Sequence, residues 1–246
     1  MEVAYQFVFL PQKMPVASKL SPLEYYQKVV ALFQQKGDPG RAQGQMWYMR
    51  HQFEFFGLKA PEWVALAKIM FDEYGVPEGP ALLETARLCY EDDHREANYF
   101  AIEMVQKVMK HQPQNLIDFF EELMVTKSWW DTVDWISKLV GMHFQRFPQL
   151  TKPVTERWMA SGNIWLQRAA IIFQLKFKAK TDTALLFDYI RRVAHSKEFF
   201  LQKGAGWALR EYSKTDPDAV AQFIRDTPLA PLTKREGMKW IVKNTP

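Results

Sequence analysis

The stretch Lys127-Ser128-Trp129-Trp130-Asp131-Thr132-Val133-Asp134 sets two adjacent tryptophans within five residues of two carboxylates. Tryptophan faces attract cations and stack on bases or sugars. A carboxylate beside them can stabilise a developing positive charge or orient a water. Ser128, followed three residues later by Asp131, reads as a helix start. The hydroxyl takes a free backbone N–H, and Asp131 reaches back or favours the positive helix end. Asp131 then has a structural task and Asp134 has none. An unpaired aspartate, with an ordinary pKa near ~3.9, is ionised at neutral pH.

Helical spacing sorts the neighbours. Trp129, Val133, Ile136 and Val140 share one apolar stripe, expected in the core. Trp130, Asp134, Ser137 and Gly141 share the adjacent stripe, because residues four apart stack on one face. The plain alternative is a boundary tryptophan beside a solvated aspartate.

The same pattern recurs downstream. Trp130, Trp165 and Phe200 stand 35 residues apart in succession. Leu166-Gln167-Arg168-Ala169-Ala170 is echoed by Leu201-Gln202-Lys203-Gly204-Ala205, and Gln202 to Trp207 by Arg235 to Trp240. A period of 33–35 residues built from two helices marks a stacked α-solenoid. On such a surface Trp130/Asp134, Trp165/Arg168 and Trp207/Arg210 occupy related places. Arg168, Lys176, Lys203 and Arg210 can hold phosphates, the arginines with forked geometry. Repeat-to-repeat salt bridges remain open for Arg168 and Arg210, and solvated-face charges for Lys176 and Lys203.

Elements between breakers supply the positions. Helical periodicity begins after Ser21-Pro22 and is interrupted at Gly37-Asp38-Pro39-Gly40. A second helix carries Met46, Trp47, Met49 and Phe53 to a stop near Gly57. Pro61, Pro80, Asp92/Asp93 and Pro113 open four more. Runs follow at 129–146, 148–160, 163–177, 182–195, 198–213, 216–226 and 232–243. No two-residue alternation is sustained, so the chain is expected to be all-α with about a dozen helices. Residues 1–20 read as a loosely attached lead-in, and 21–246 as one domain of helical repeats.

Composition narrows the class. The chain has 246 residues, 48% of them hydrophobic and 24% charged, as in ordinary globular proteins. The net charge of +4 permits nucleic-acid binding if cations gather on one face. Cys89, the single cysteine, excludes a disulfide framework and a multi-cysteine metal site. It lies in an apolar run and reads as a buried, inert thiol. The five histidines are scattered, so neither metal nor cofactor is expected. The run Phe7-Val8-Phe9-Leu10 is too short for a membrane span and lacks signal-peptide flanks. A cytoplasmic location is the expectation.

Three segments carry a family resemblance: Ser128 to Asp134, Asn163 to Ala170, and Ser196 to Phe200 with Gly206 to Tyr212. With Phe55 to Glu62 and Leu229 to Glu236, they resemble the AlkD-type DNA alkylation-repair glycosylases from about residue 22 to 243. One departure is Lys59-Ala60 before Pro61, where many relatives have Gln-Thr. The resemblance implies a HEAT-like repeat solenoid whose concave, basic face holds duplex DNA. It implies hydrolysis of the N-glycosidic bond of positively charged N3- and N7-alkylated purines, without flipping of the base into a pocket. By matching position, Trp130 and Trp207 are the aromatics at the lesion, Asp134 the catalytic carboxylate, and Arg168 and Arg210 phosphate clamps. Such an enzyme is monofunctional, needs no cofactor, works as a monomer and serves base excision repair. A non-catalytic helical scaffold binding nucleic acid or protein through the same face is the alternative.

Overall fold

A computed structural model describes residues 16–244. The expectations for residues 1–15, including the Phe7–Leu10 run, lie outside the described residues. Thirteen α-helices run through the described chain, close to the dozen expected. They are α1 (Pro22–Lys36), α2 (Pro39–Tyr48), α3 (Ala60–Tyr74), α4 (Gly79–Glu91), α5 (Arg95–Val108), α6 (Leu116–Val125) and α7 (Trp130–Arg146). There follow α8 (Thr151–Ala160), α9 (Ile164–Ile172), α10 (Thr183–Arg192), α11 (Phe199–Tyr212), α12 (Pro217–Asp226) and α13 (Pro231–Asn244). Among the described residues no helix is long and apolar enough to cross a membrane.

Prolines and short polar caps set the starts. Pro22, Pro39 and Pro217 occupy the first turn, where a missing N–H is harmless. Ser21, Asp38, Asn163, Asp182 and Asp216 cap the helices that follow them. The second helix stops earlier than its periodicity suggested. Arg50 and His51 both adopt left-handed backbone (φ 57° and 54°), which ends α2 before Phe53. The run at 163–177 also shortens, to Ile172.

The chain divides into two compact units, residues 1–112 and 113–246. In the first, Tyr25, Val29 and Phe33 of α1 pack with Trp63, Met70 and Phe71 of α3 and with Phe100 of α5, all buried. The Phe100 ring lies 5.4–6.2 Å from those of Phe71, Phe33 and Tyr25. Cys89 is fully buried in α4, and burial pushes its thiol well up. The buried Glu96 carboxylate accepts the N–H groups of Phe56, Gly57 and Leu58, fixing the turn into α3. Residues 16–18, read as part of a loose lead-in, are instead paired with Val76: its N–H donates to Val16 and its carbonyl accepts from Ser18.

The second unit alternates two rows. Helices α7, α9, α11 and α13 contact one another in sequence, and α6, α8, α10 and α12 pack beside them. Repetition is visible in the ion pairs of the second row. Arg157 of α8 meets Glu121 of α6 at 2.5 Å, and Arg192 of α10 meets Glu156 of α8 at 2.6 Å, each pair 36 residues apart. Both members shift by the same 35 positions from one repeat to the next.

Candidate active site

The row formed by α7, α9, α11 and α13 carries the residues singled out for chemistry except Lys176, which lies in the turn after α9. Trp130 is the first residue of α7, and the aspartate one turn on, Asp134, faces α9. Beneath it Ser137 is buried, its hydroxyl bonded to the Val133 carbonyl at 2.7 Å. Gly141 lies so close to α9 that a Cβ there would sit 2.2 Å from the Phe173 carbonyl oxygen. The small residues below the aspartate therefore let α9 come against this stripe. Their role was legible in the spacing, though its consequence was not.

That approach gives Asp134 a partner, which corrects the reading of an unpaired carboxylate. Arg168 of α9 donates from Nε to Oδ1 at 2.7 Å and from Nη2 to Oδ2 at 2.8 Å. Its third arm, Nη1, donates to the Phe200 carbonyl of α11 at 2.6 Å. One guanidinium thus ties three successive repeats. Arg168, expected among the phosphate-holding cations, is only 5% exposed. The salt-bridge alternative left open for it is what forms. Burial pushes the Asp134 carboxyl up from its ordinary value, and the Arg168 charge and hydrogen bonds pull against that. Donors on both oxygens are the geometry of an ionised carboxylate. Its side chain keeps 17% of its surface exposed.

The start of α7 also differs from expectation. Trp129, with extended backbone, is the cap residue, and Ser128 donates instead to the Met124 carbonyl at the end of α6. Asp131 remains in the first turn, where the helix end favours it. The aromatic register moves by one residue as well. Trp129, assigned to the core stripe, meets Trp165 (5.8 Å between ring centres) and Phe200 (5.1 Å), which meet each other at 4.9 Å.

On α11, residues 203, 207 and 210 fall on one face, so the half-buried Trp207 stands between Lys203 and Arg210, and Lys214 follows in the turn after the helix. Arg210 Nη1 reaches Glu236 Oε2 of α13 at 3.2 Å, and Lys203 reaches Oε1 at 3.0 Å. Lys176 is 71% exposed and lies 3.9 Å from Glu211, which also binds Lys214 at 2.6 Å. Glu236 was missed as a functional candidate because a charged residue in an amphipathic helix reads as solvent-facing. It is 4% exposed. A signal existed in Gly206, whose missing Cβ would sit 2.5 Å from the Glu236 Cβ.

The sequence profile of a family described as DNA alkylation repair enzyme matches residues 29–241. The chain belongs to this family. Among solved structures, it is similar to a predicted DNA alkylation repair enzyme from Enterococcus faecalis, with 32% identity over 84% of this chain and 97% of that one (TM-score 0.80). AlkD2 from Streptococcus mutans shares 16% identity over 80% of this chain and 98% of its own (TM-score 0.59). The smu.31 protein from Streptococcus mutans UA159 shares 15% identity over 88% and 98% (TM-score 0.59). These last two show the fold alone, an all-helical repeat. No curated protein sequence matches the chain.

Proposed function

We propose that this DNA alkylation repair enzyme is a monofunctional glycosylase, releasing cationic N3- and N7-alkylated purines such as 3-methyladenine and 7-methylguanine from duplex DNA. The observation that carries the reading is the Asp134 carboxyl group, held at both oxygens by N–H donors of Arg168 one turn from Trp130. A carboxylate has about four acceptor sites, and Arg168 occupies one on each oxygen. The remaining sites can face a sugar cation or a water.

The chemistry suits such a group. An alkylated purine already carries positive charge, so it departs as a neutral base and needs no general acid. The charge passes to the deoxyribose as an oxocarbenium-like cation, with water completing the hydrolysis. Carboxylate and tryptophan faces stabilise that cation, and preorganised electrostatics of this kind is usually the largest catalytic term. No lysine attacks the sugar, so no lyase step follows. Trp130 and Trp207 flank the lesion while Arg210, Lys203 and Lys176 hold the backbone, which leaves no need for base flipping. Arg168 acts by fixing Asp134 rather than by meeting phosphate.

A second reading rests on the same ion pair. A buried bidentate bridge across successive repeats is also what a purely structural brace looks like, in a scaffold that binds DNA without chemistry. Incubation with duplex DNA carrying 7-methylguanine separates the two. Free base released above the spontaneous rate supports the glycosylase, and release at the spontaneous rate leaves the scaffold.

A further inference from the structure

We infer that Glu236 is a positioning residue that gathers Lys203, Arg210 and Lys239 into one preorganised site for nucleic-acid backbone phosphate. This deepens the glycosylase reading and rests on it for the identity of the polyanion. Glu236 is 4% exposed, and three cations converge on its two oxygens. Lys203 and Lys239 meet Oε1 at 3.0 and 2.7 Å, and Arg210 meets Oε2 at 3.2 Å. Glu236 thus sets one negative charge among three positive ones.

The sequence spacing explains why a buried anchor is needed. Lys203 and Arg210 stand two turns apart on α11, roughly 10 Å along the axis. Unaided, two long side chains at that distance would sample separate volumes of solvent. Glu236 enters between them at the level of Gly206, where the absent Cβ leaves room for its own Cβ. Both heads therefore lean inward onto one carboxylate. Lys239, one turn along α13 from Glu236, completes the set. The cations retain partial exposure (37% for Lys203, 22% for Arg210, 49% for Lys239), while the carboxylate beneath them has 6%. An approaching anion meets the ammonium and guanidinium groups and not the glutamate. Trp207 follows Gly206 on the same helix, so the phosphate site and the aromatic share one turn of α11.

Simple charge counting and positioning predict opposite signs for Glu236→Gln. Removing a negative charge beside DNA should tighten binding if the glutamate only repels. If it positions the three cations, binding should weaken about tenfold or more at 0.1 M salt, because ordering each long side chain on binding costs roughly two- to tenfold. The test measures affinity of the full chain for undamaged duplex DNA at several salt concentrations. Lys239→Ala, at a half-exposed side chain, provides a second arm whose folding is not at stake. The expected result is a log–log salt slope reduced by about 0.9. Tighter binding by Glu236→Gln, or an unchanged slope for Lys239→Ala, overturns the inference. Because undamaged DNA is used, such a result leaves the Asp134 chemistry standing. A wild-type chain that does not bind duplex at all removes both readings.

Discussion

Asp134→Asn is the substitution on which the most can be calculated. The asparagine keeps the shape and one acceptor oxygen but turns an NH2 group toward Arg168. One of the two hydrogen bonds, at 2.7 and 2.8 Å, becomes a donor facing a donor. Arg168, 5% exposed, is then left without its counter-charge. Breaking a buried pair from one side costs about 3–5 kcal/mol, and the surviving acceptor and the Phe200 carbonyl place this case near the lower end. For a chain of this size that is a fall in melting temperature of roughly 6–12 °C. Base release should fall by on the order of 10²–10³, as for loss of one preorganised electrostatic group. Single-turnover release of 7-methylguanine, corrected for spontaneous depurination and run well below the variant's melting temperature, reads the chemical step alone. Asp131→Asn is the control: an acidic residue in the first turn of α7, worth about 1 kcal/mol or less and without effect on release. Wild-type rates in Asp134→Asn would refute the catalytic role, and an unchanged melting temperature would refute the energetic reading of the pair.

Activity should also decline on acidification at a pH above the usual carboxylate range, since burial raises the Asp134 carboxyl and its protonation removes the charge; a pH profile of single-turnover release checks the direction. Arg210→Ala should reduce the salt slope of duplex binding by about 0.9, and an unchanged slope would take Arg210 off the DNA surface. His143 is buried, donates from Nε2 to the Gln114 carbonyl, and burial lowers its pKa. The unfolded chain therefore takes up the proton first, and stability falls as pH drops below about 6.5. Unfolding free energies from urea titrations at pH 7.5 and 5.5 should differ by up to about 1.4 kcal/mol more in wild type than in His143→Gln. The Cys89 thiol should not react with an aromatic disulfide reagent at pH 8 in the native state and should react fully in denaturant.

Helix content, the 35-residue period and the set of residues that share a row were all legible in the sequence. They depend on local properties: proline and capping residues at the starts, and apolar spacing along each helix. What failed were readings that turn on a single residue or on a partner far away in sequence. The stripes of α7 kept their assigned faces, but Trp129, as the extended cap residue, falls outside the helical spacing and meets Trp165 and Phe200 instead. The end of α2 was set by left-handed backbone at Arg50 and His51, which no periodicity announces. Asp134 and Glu236 looked like free or solvent-facing carboxylates because Arg168 lies 34 residues from the first, and Arg210 lies 26 residues from the second, each on another helix. Only the close approach allowed by Ser137 and Gly141 on α7 and by Gly206 on α11 buries those carboxylates against cations. The chain alone determined which helices would carry the charges, and interhelical packing decided which charges would be neutralised.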